Sequence, residues 1–218
     1  MQRTIIVKGE GKVVAKVDYV IIKMNMESED KEYQKAMDLA TERIDSLNSL
    51  LISIGFEKDD LKTTNFNVRT IYDSVKDKNG NYKQVFRGYL VIHDLKLGFD
   101  FDSKRLAKVL TAISKCASKP HLSITFTVKD ETAIKEEMLR LTASNARRKA
   151  EILCEGSGVK LGELITINYN WNEIDIYSHT SYDLDTGTRF ASSIKSDMEF
   201  APEDIEVKDS ATFIWKIM

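Results

Sequence analysis

The chain has 218 residues, 42% apolar and 30% charged, a balance that suits a well-buried globular core and excludes wholesale disorder. Lys plus Arg total 32 against 34 Asp plus Glu, and the formal charge of −2 argues against general attraction to nucleic acid or an anionic membrane. No apolar run reaches the ~20 residues a transmembrane helix needs, and residues 5–7 are too short for the core of a secretory leader, so the sequence predicts a cytoplasmic protein, or a periplasmic or envelope protein whose leader has been removed.

Residues 4–8 read as a short strand closed by a glycine turn at Gly9-Glu10-Gly11. A second strand follows, with Val20, Ile22, Met24 and Met26 on one face and Tyr19, Lys23, Asn25 and Glu27 on the other. The first helix is expected to start near Ser28 to Asp30, which can cap it. Its stripe is Tyr33, Met37, Ala40, Ile44, Leu47, Leu51 and Ile54, and Gly55 stops it. A strand over residues 61–72 carries Phe66, Val68, Thr70 and Tyr72 on one side. Asn79-Gly80 is the strongest turn signal in the chain and predicts an antiparallel hairpin into a long strand over 82–99, with Tyr89, Val91, His93, Leu95, Leu97 and Phe99 on one face.

A second helix starting near Asp102 turns Leu106, Val109, Leu110 and Ile113 inward. After Pro120 comes a strand with Leu122, Ile124, Phe126 and Val128 alternating. The third helix, over about 130–155, has the stripe Leu139, Ala143, Ala146, Ala150 and Leu153, whose alanines imply close approach to a neighbour; Gly156-Ser157-Gly158 ends it. Another strand covers 161 to about 171. Residues 172–204 show no clear period and read as a projecting arm or mobile loop. Strong alternation returns with Ile205, Val207, Ala211, Phe213, Trp215 and Ile217. The expected fold is α+β: a single domain over 1–218, a largely antiparallel sheet system of about seven strands with three helices packed on one side.

Motif by motif, catalytic apparatus fails to assemble. Gly9-Glu10-Gly11-Lys12 is no phosphate loop, since Ile6 stands where a glycine is needed and Val13 where a Ser or Thr is needed. The glycines of 156–162 leave a helix and enter a strand, the reverse of a dinucleotide fingerprint. Asp185-Thr186-Gly187 is a single copy of an aspartic-protease tripeptide in a polar stretch, and Asp183 with Asp185 lacks the other ligands of a calcium loop. His93, His121 and His179 lie on three elements without metal-ligand spacing. Arg140 with Arg147-Arg148-Lys149 forms a basic helix face, read as solvated surface. No cofactor and no metal are expected.

Several features in order resemble the SIMPL-domain family: Gly9-Glu10-Gly11 after the first strand, Ile54-Gly55, Leu61-Lys62-Thr63-Thr64-Asn65-Phe66, Tyr72, Gly88-Tyr89, Ile124-Thr125-Phe126, Ala146-Arg147-Arg148-Lys149-Ala150 and a Pro202-led last strand. The resemblance implies a mostly bacterial group, often exported to the cell envelope, with some members linked to oxidative-stress defence and a mammalian relative that is a kinase-associated adaptor. It implies no established reaction, so no catalytic residues carry over. The shared residues read as scaffold: Gly9 and Gly11 as positions with φ closed to other residues, Gly88 as a close approach or bulge, Ala146 and Ala150 as tight packing.

Three functional readings follow. The first is a non-catalytic binding or assembly protein, a homo-oligomer with a possible protein partner, whose interface lies on the aromatic-bearing arm at Trp171, Ile176, Tyr177, Tyr182 and Phe190. The second is a ligand binder or enzyme built from distant residues around His93, Asp94 and the Tyr72/Tyr89 hairpin. The third is redox chemistry at Cys116 or Cys154, two cysteines whose apolar neighbours otherwise suggest buried thiols.

Overall fold

The computed structural model describes residues 3–78, 80–116, 119–170, 174–185 and 199–218. In chain order the elements are β1 (Thr4–Ala15), β2 (Tyr19–Asp30), α1 (Tyr33–Ser53), β3 (Leu61–Lys76), β4 (Tyr82–Asp100), α2 (Ser103–Ser114), β5 (His121–Thr127), α3 (Glu131–Gly156), β6 (Leu161–Tyr169), β7 (Tyr177–Asp185) and β8 (Ile205–Ile217). The expected α+β architecture is present, with eight strands in two antiparallel sheets and three helices among the described residues. Where one core is expected, the chain divides into two compact units. Alternation shows which side chains turn inward, but not which sheet they turn toward.

One unit comprises Met1–Val17, Thr127–His179 and Glu203–Met218. Its sheet has the order β1-β8-β6, and α3 packs on one face. Val7, Ala146, Ala150, Ala211, Phe213 and Trp215 form one cluster; Val128, Met138, Ile176, Ile205 and Val207 form another. β1 does not turn at Gly9-Glu10-Gly11: it runs straight through, paired with β8 from Thr4↔Lys216 to Ala15↔Ile205. Gly9 and Gly11 are also not left-handed, positive φ among the described glycines being confined to Gly55, Gly80 and Gly158. Both positions instead admit α3. A Cβ at Gly11 would fall 2.4 Å from the Met138 carbonyl oxygen, closer than real Cβ contacts allow.

The buried stripe of α3 is Met138, Thr142, Ala146, Ala150 and Cys154, not the expected run through Leu139, Ala143 and Leu153, which face outward. A strict spacing of four with small residues puts the helix backbone against the glycine-bearing strand. That contact outweighs the burial of two leucines.

The other unit comprises Asp18–Phe126 and Thr180–Pro202, with strand order β3-β4-β2-β5-β7. α1 packs against β2 and β4, with α2 beside it. Val20, Ile22, Met24 and Met26 are buried as the alternation predicts, together with Leu95, Leu97, Leu106, Leu110, Ile113, Ile124 and Phe126. Ser28 to Asp30 belong to β2 rather than to the cap of α1, which starts at Tyr33 behind Glu32; Asp30 Oδ1 still accepts from the Glu32 amide at 2.9 Å. Asp102 caps α2 through the Arg105 amide at 2.7 Å. Part of the expected projecting arm is ordinary sheet: residues 177–185 form β7, next to β5. Its alternation of Tyr, Ser, His and Thr carries too little hydrophobic contrast to announce a strand. No helix among the described residues is long and apolar enough to cross a membrane.

Candidate assembly surface

The β3–β4 hairpin is longer than the strand beside it. β4 pairs with β2 only from Tyr19↔Asp100 to Asp30↔Tyr89, whereas β3 and β4 stay paired to Lys76↔Tyr82. Beyond Tyr89 the two arms therefore pair only with each other among the described residues. Gly88 marks the exit of the third strand, because a Cβ there would sit 2.6 Å from the Asp30 carbonyl oxygen. The register slips beside it, between Ile71 and Tyr72, with Arg87 as the extra residue on β4. Arg87 grips Glu29 with two bonds of 2.7 Å and stands 3.7 Å from Asp73.

A two-stranded ribbon has no core of its own, so its apolar side chains stay wet. Tyr82 is 73% exposed, Tyr72 55% and Phe86 45%, and Val75 and Val85 are exposed beside them. Their rings connect edge to face: Tyr72 to Phe86 at 5.9 Å, Phe86 to Tyr89 at 5.4 Å, Tyr89 to Tyr33 at 5.6 Å. Such a line of exposed aromatics on one element is the surface composition that binding interfaces favour.

On the sheet face away from α1, paired residues form two rows. Asn25, Asp94 and Asn65 occupy successive strands, and the two amides donate to the two Asp94 oxygens at 2.6 and 2.9 Å. Those bonds, Asn65 first, hold the Asp94 carboxyl below its ordinary value against a weaker opposing effect of burial. The neighbouring row is Lys23, Lys96 and Lys62, like charges directly opposite one another. Lys23, Asn25, Asp94 and Lys96 line a shallow depression together with Thr64, His121 and Ser123. Both Asp94 oxygens accept from these amides, and the side chains of His121 and Ser123 form no hydrogen bond among the described residues.

His93 lies on the opposite face of β4 from Asp94, as neighbours in a strand must. It is buried, bonded through Nε2 to Thr63 Oγ1 at 2.8 Å and set edge-on to Phe66 at 5.1 Å. Burial lowers its pKa below the ordinary 6.5, with Asp94 pulling weakly the other way. The residues suspected together from the sequence are thus split, His93 into the core and Asp94 onto the open face.

Of the arm residues, Ile176 is buried in the first unit's core and Tyr177 is about half exposed. Tyr182 packs edge-on against Phe126 at 5.9 Å and Phe200 at 5.7 Å. Trp171 and Phe190 lie outside the described residues, as do Thr186 and Gly187. Three residues of the basic face of α3 are paired: Arg140 with Glu136 and Arg147 with Glu151 on the helix itself, and Lys149 with Glu10 of β1. Cys116 and Cys154 are buried and are not joined in a disulfide. Sequence reasoning missed the ribbon: β3 and β4 run for 16 and 19 residues, against 12 in β2.

The family model SIMPL, described as a protein of unknown function (DUF541), matches residues 5–215. No curated protein matches the chain.

Proposed function

The chain belongs to the SIMPL family, and from that premise we propose that it is a non-catalytic binding and assembly protein that associates with itself. The observation that carries this reading is the β3–β4 ribbon, which leaves Tyr72, Val75, Tyr82, Val85 and Phe86 exposed, with no third strand beside them among the described residues. Each exposed ring costs free energy in water that an apolar partner recovers, about 25 cal/mol per Å² covered. The reading keeps the arm residues Trp171, Tyr177 and Phe190 as a secondary contact. It also takes in the envelope or oxidative-stress setting that the family resemblance implies.

Sedimentation velocity over a wide concentration range tests it. The wild type should form oligomers, and a Tyr72→Ser/Phe86→Ser variant with an unchanged far-UV spectrum should shift toward monomer. A wild type that stays strictly monomeric at high concentration removes the proposal.

A second reading, a ligand-binding protein, has the depression around Asp94 and the Lys23–Lys96–Lys62 row behind it. Three aligned lysines on one face suit a small multivalent anion. A melting temperature raised by millimolar tripolyphosphate in the wild type but not in Lys96→Ala supports that reading; no rise in the wild type ends it.

A further inference from the structure

Resting on the self-association reading, we propose which surface makes the contact: the open edge of β3 pairs antiparallel with the same edge of a second copy, about a twofold axis at Ile71. Among the described residues β3 is the end strand of its sheet and pairs only with β4. Edges of this kind are normally blunted by prolines, bulges, clustered charge or short length. The bulge on β3 itself, at Thr64, lies before Asn65, and the later slip puts its extra residue on β4. Residues 65–76 therefore offer an uninterrupted edge about 40 Å long. It holds no proline, and its only charged residues are Arg69, Asp73 and Lys76.

Those charges select the register. With the axis at Ile71, Arg69 of each copy faces Asp73 of the other, so two ion pairs form symmetrically. Lys76 then falls opposite Phe66, a cation against a ring that is 47% exposed. Moving the axis to Arg69 or to Asp73 sets identical charges face to face, which is destabilising. Moving it to Tyr72 leaves Arg69 facing Val75 and Asp73 facing Ile71. No other register with comparable overlap of 65–76 pairs an acid with a base.

The remaining contacts agree with that choice. Arg69 and Asp73 share the sheet face of Asn65, away from α1, while Thr70 and Tyr72 share the other. Each Tyr72 would oppose Thr70 of the second copy, and the two Tyr72 rings would meet diagonally, within aromatic reach. Among the described residues of one chain Asp73 meets only Arg87, at 3.7 Å, and Arg87 already spends its two short bonds on Glu29. The carboxylate keeps acceptor capacity for a second arginine. A C2 contact of this kind is self-complementary and closes on itself.

The decisive experiment is a charge swap read by sedimentation. Arg69→Asp alone sets two acids opposite each other, and Asp73→Arg alone sets two bases opposite each other. Each single variant should dimerise at least tenfold more weakly than wild type. Mixing the two variants should produce a heterodimer, because acid then meets base at both positions, and the double variant R69D/D73R should regain wild-type association. If the wild type associates but the swaps leave it unchanged, or the mixture fails to associate, the β3 edge is not the contact, while the self-association reading stands. A strictly monomeric wild type defeats that reading itself.

Discussion

Gly9 and Ala146 meet across the contact between β1 and α3 so closely that a Cβ built on the glycine would lie 2.7 Å from the alanine Cβ and 2.3 Å from the Thr142 carbonyl oxygen. The obstacle is helix backbone, which cannot rotate aside. Gly9→Ala should therefore destabilise the protein by about 2–3 kcal/mol and lower Tm by roughly 5–10 °C. Gly156 supplies the control. It closes α3 without a left-handed φ, and a Cβ there would meet nothing within 4 Å. Gly156→Ala should be neutral or stabilise by up to about 1 kcal/mol. Equal melting temperatures for the two variants would show that the helix does not depend on the glycine.

His93 predicts a pH dependence. Its folded pKa lies below the ordinary 6.5, chiefly through burial. The unfolded chain therefore binds its proton first as pH falls, and stability declines from about pH 6.5 downward until the folded pKa is passed. Urea unfolding at several pH values should show this slope in the wild type and a shallower one in His93→Gln. Parallel slopes would mean that His93 titrates alike in both states.

Lys96 stands opposite Lys23 on one side and Lys62 on the other. Lys96→Glu turns two repulsive cross-strand pairs into attractive ones and should stabilise by about 0.5–1 kcal/mol. The gain should shrink in high salt, because exposed charges are screened. A destabilised variant, or a gain that salt does not touch, would contradict the electrostatic account.

Both thiols are buried at 2% exposure, with Cys116 Sγ 4.0 Å from Ser46 Oγ. Alkylation of native protein should be at least a hundredfold slower than in denaturant, since the thiol must be exposed to react. Fast native labelling at either position would revive the redox reading.

The parts of the fold visible in the sequence are those with strong local contrast. The stripe of α2, the alternation of β2 and the turn at residues 77–81 each depend on neighbours a few positions away. Gly9 was misread because its partner lies more than 130 residues along the chain, and a glycine in an extended strand looks locally like a turn. α3 was read out of phase because its packing face is made of Thr142, Ala146 and Ala150, while Leu139 and Leu153 point to solvent. The exposed ribbon is hidden for another reason. Tyr72, Val85 and Phe86 have the pattern of a buried strand, and only the point where β2 stops leaves them exposed.

If the β3 edge and its ribbon are covered by another copy of the chain, the backbone of residues 65–76 gains hydrogen-bond partners as copies associate. Hydrogen exchange of the 65–76 backbone amides, compared at low and high protein concentration, tests it most directly. Protection at these amides should rise with concentration while the amides of β2 stay unchanged. Exchange at 65–76 that is equally fast at both concentrations would contradict it.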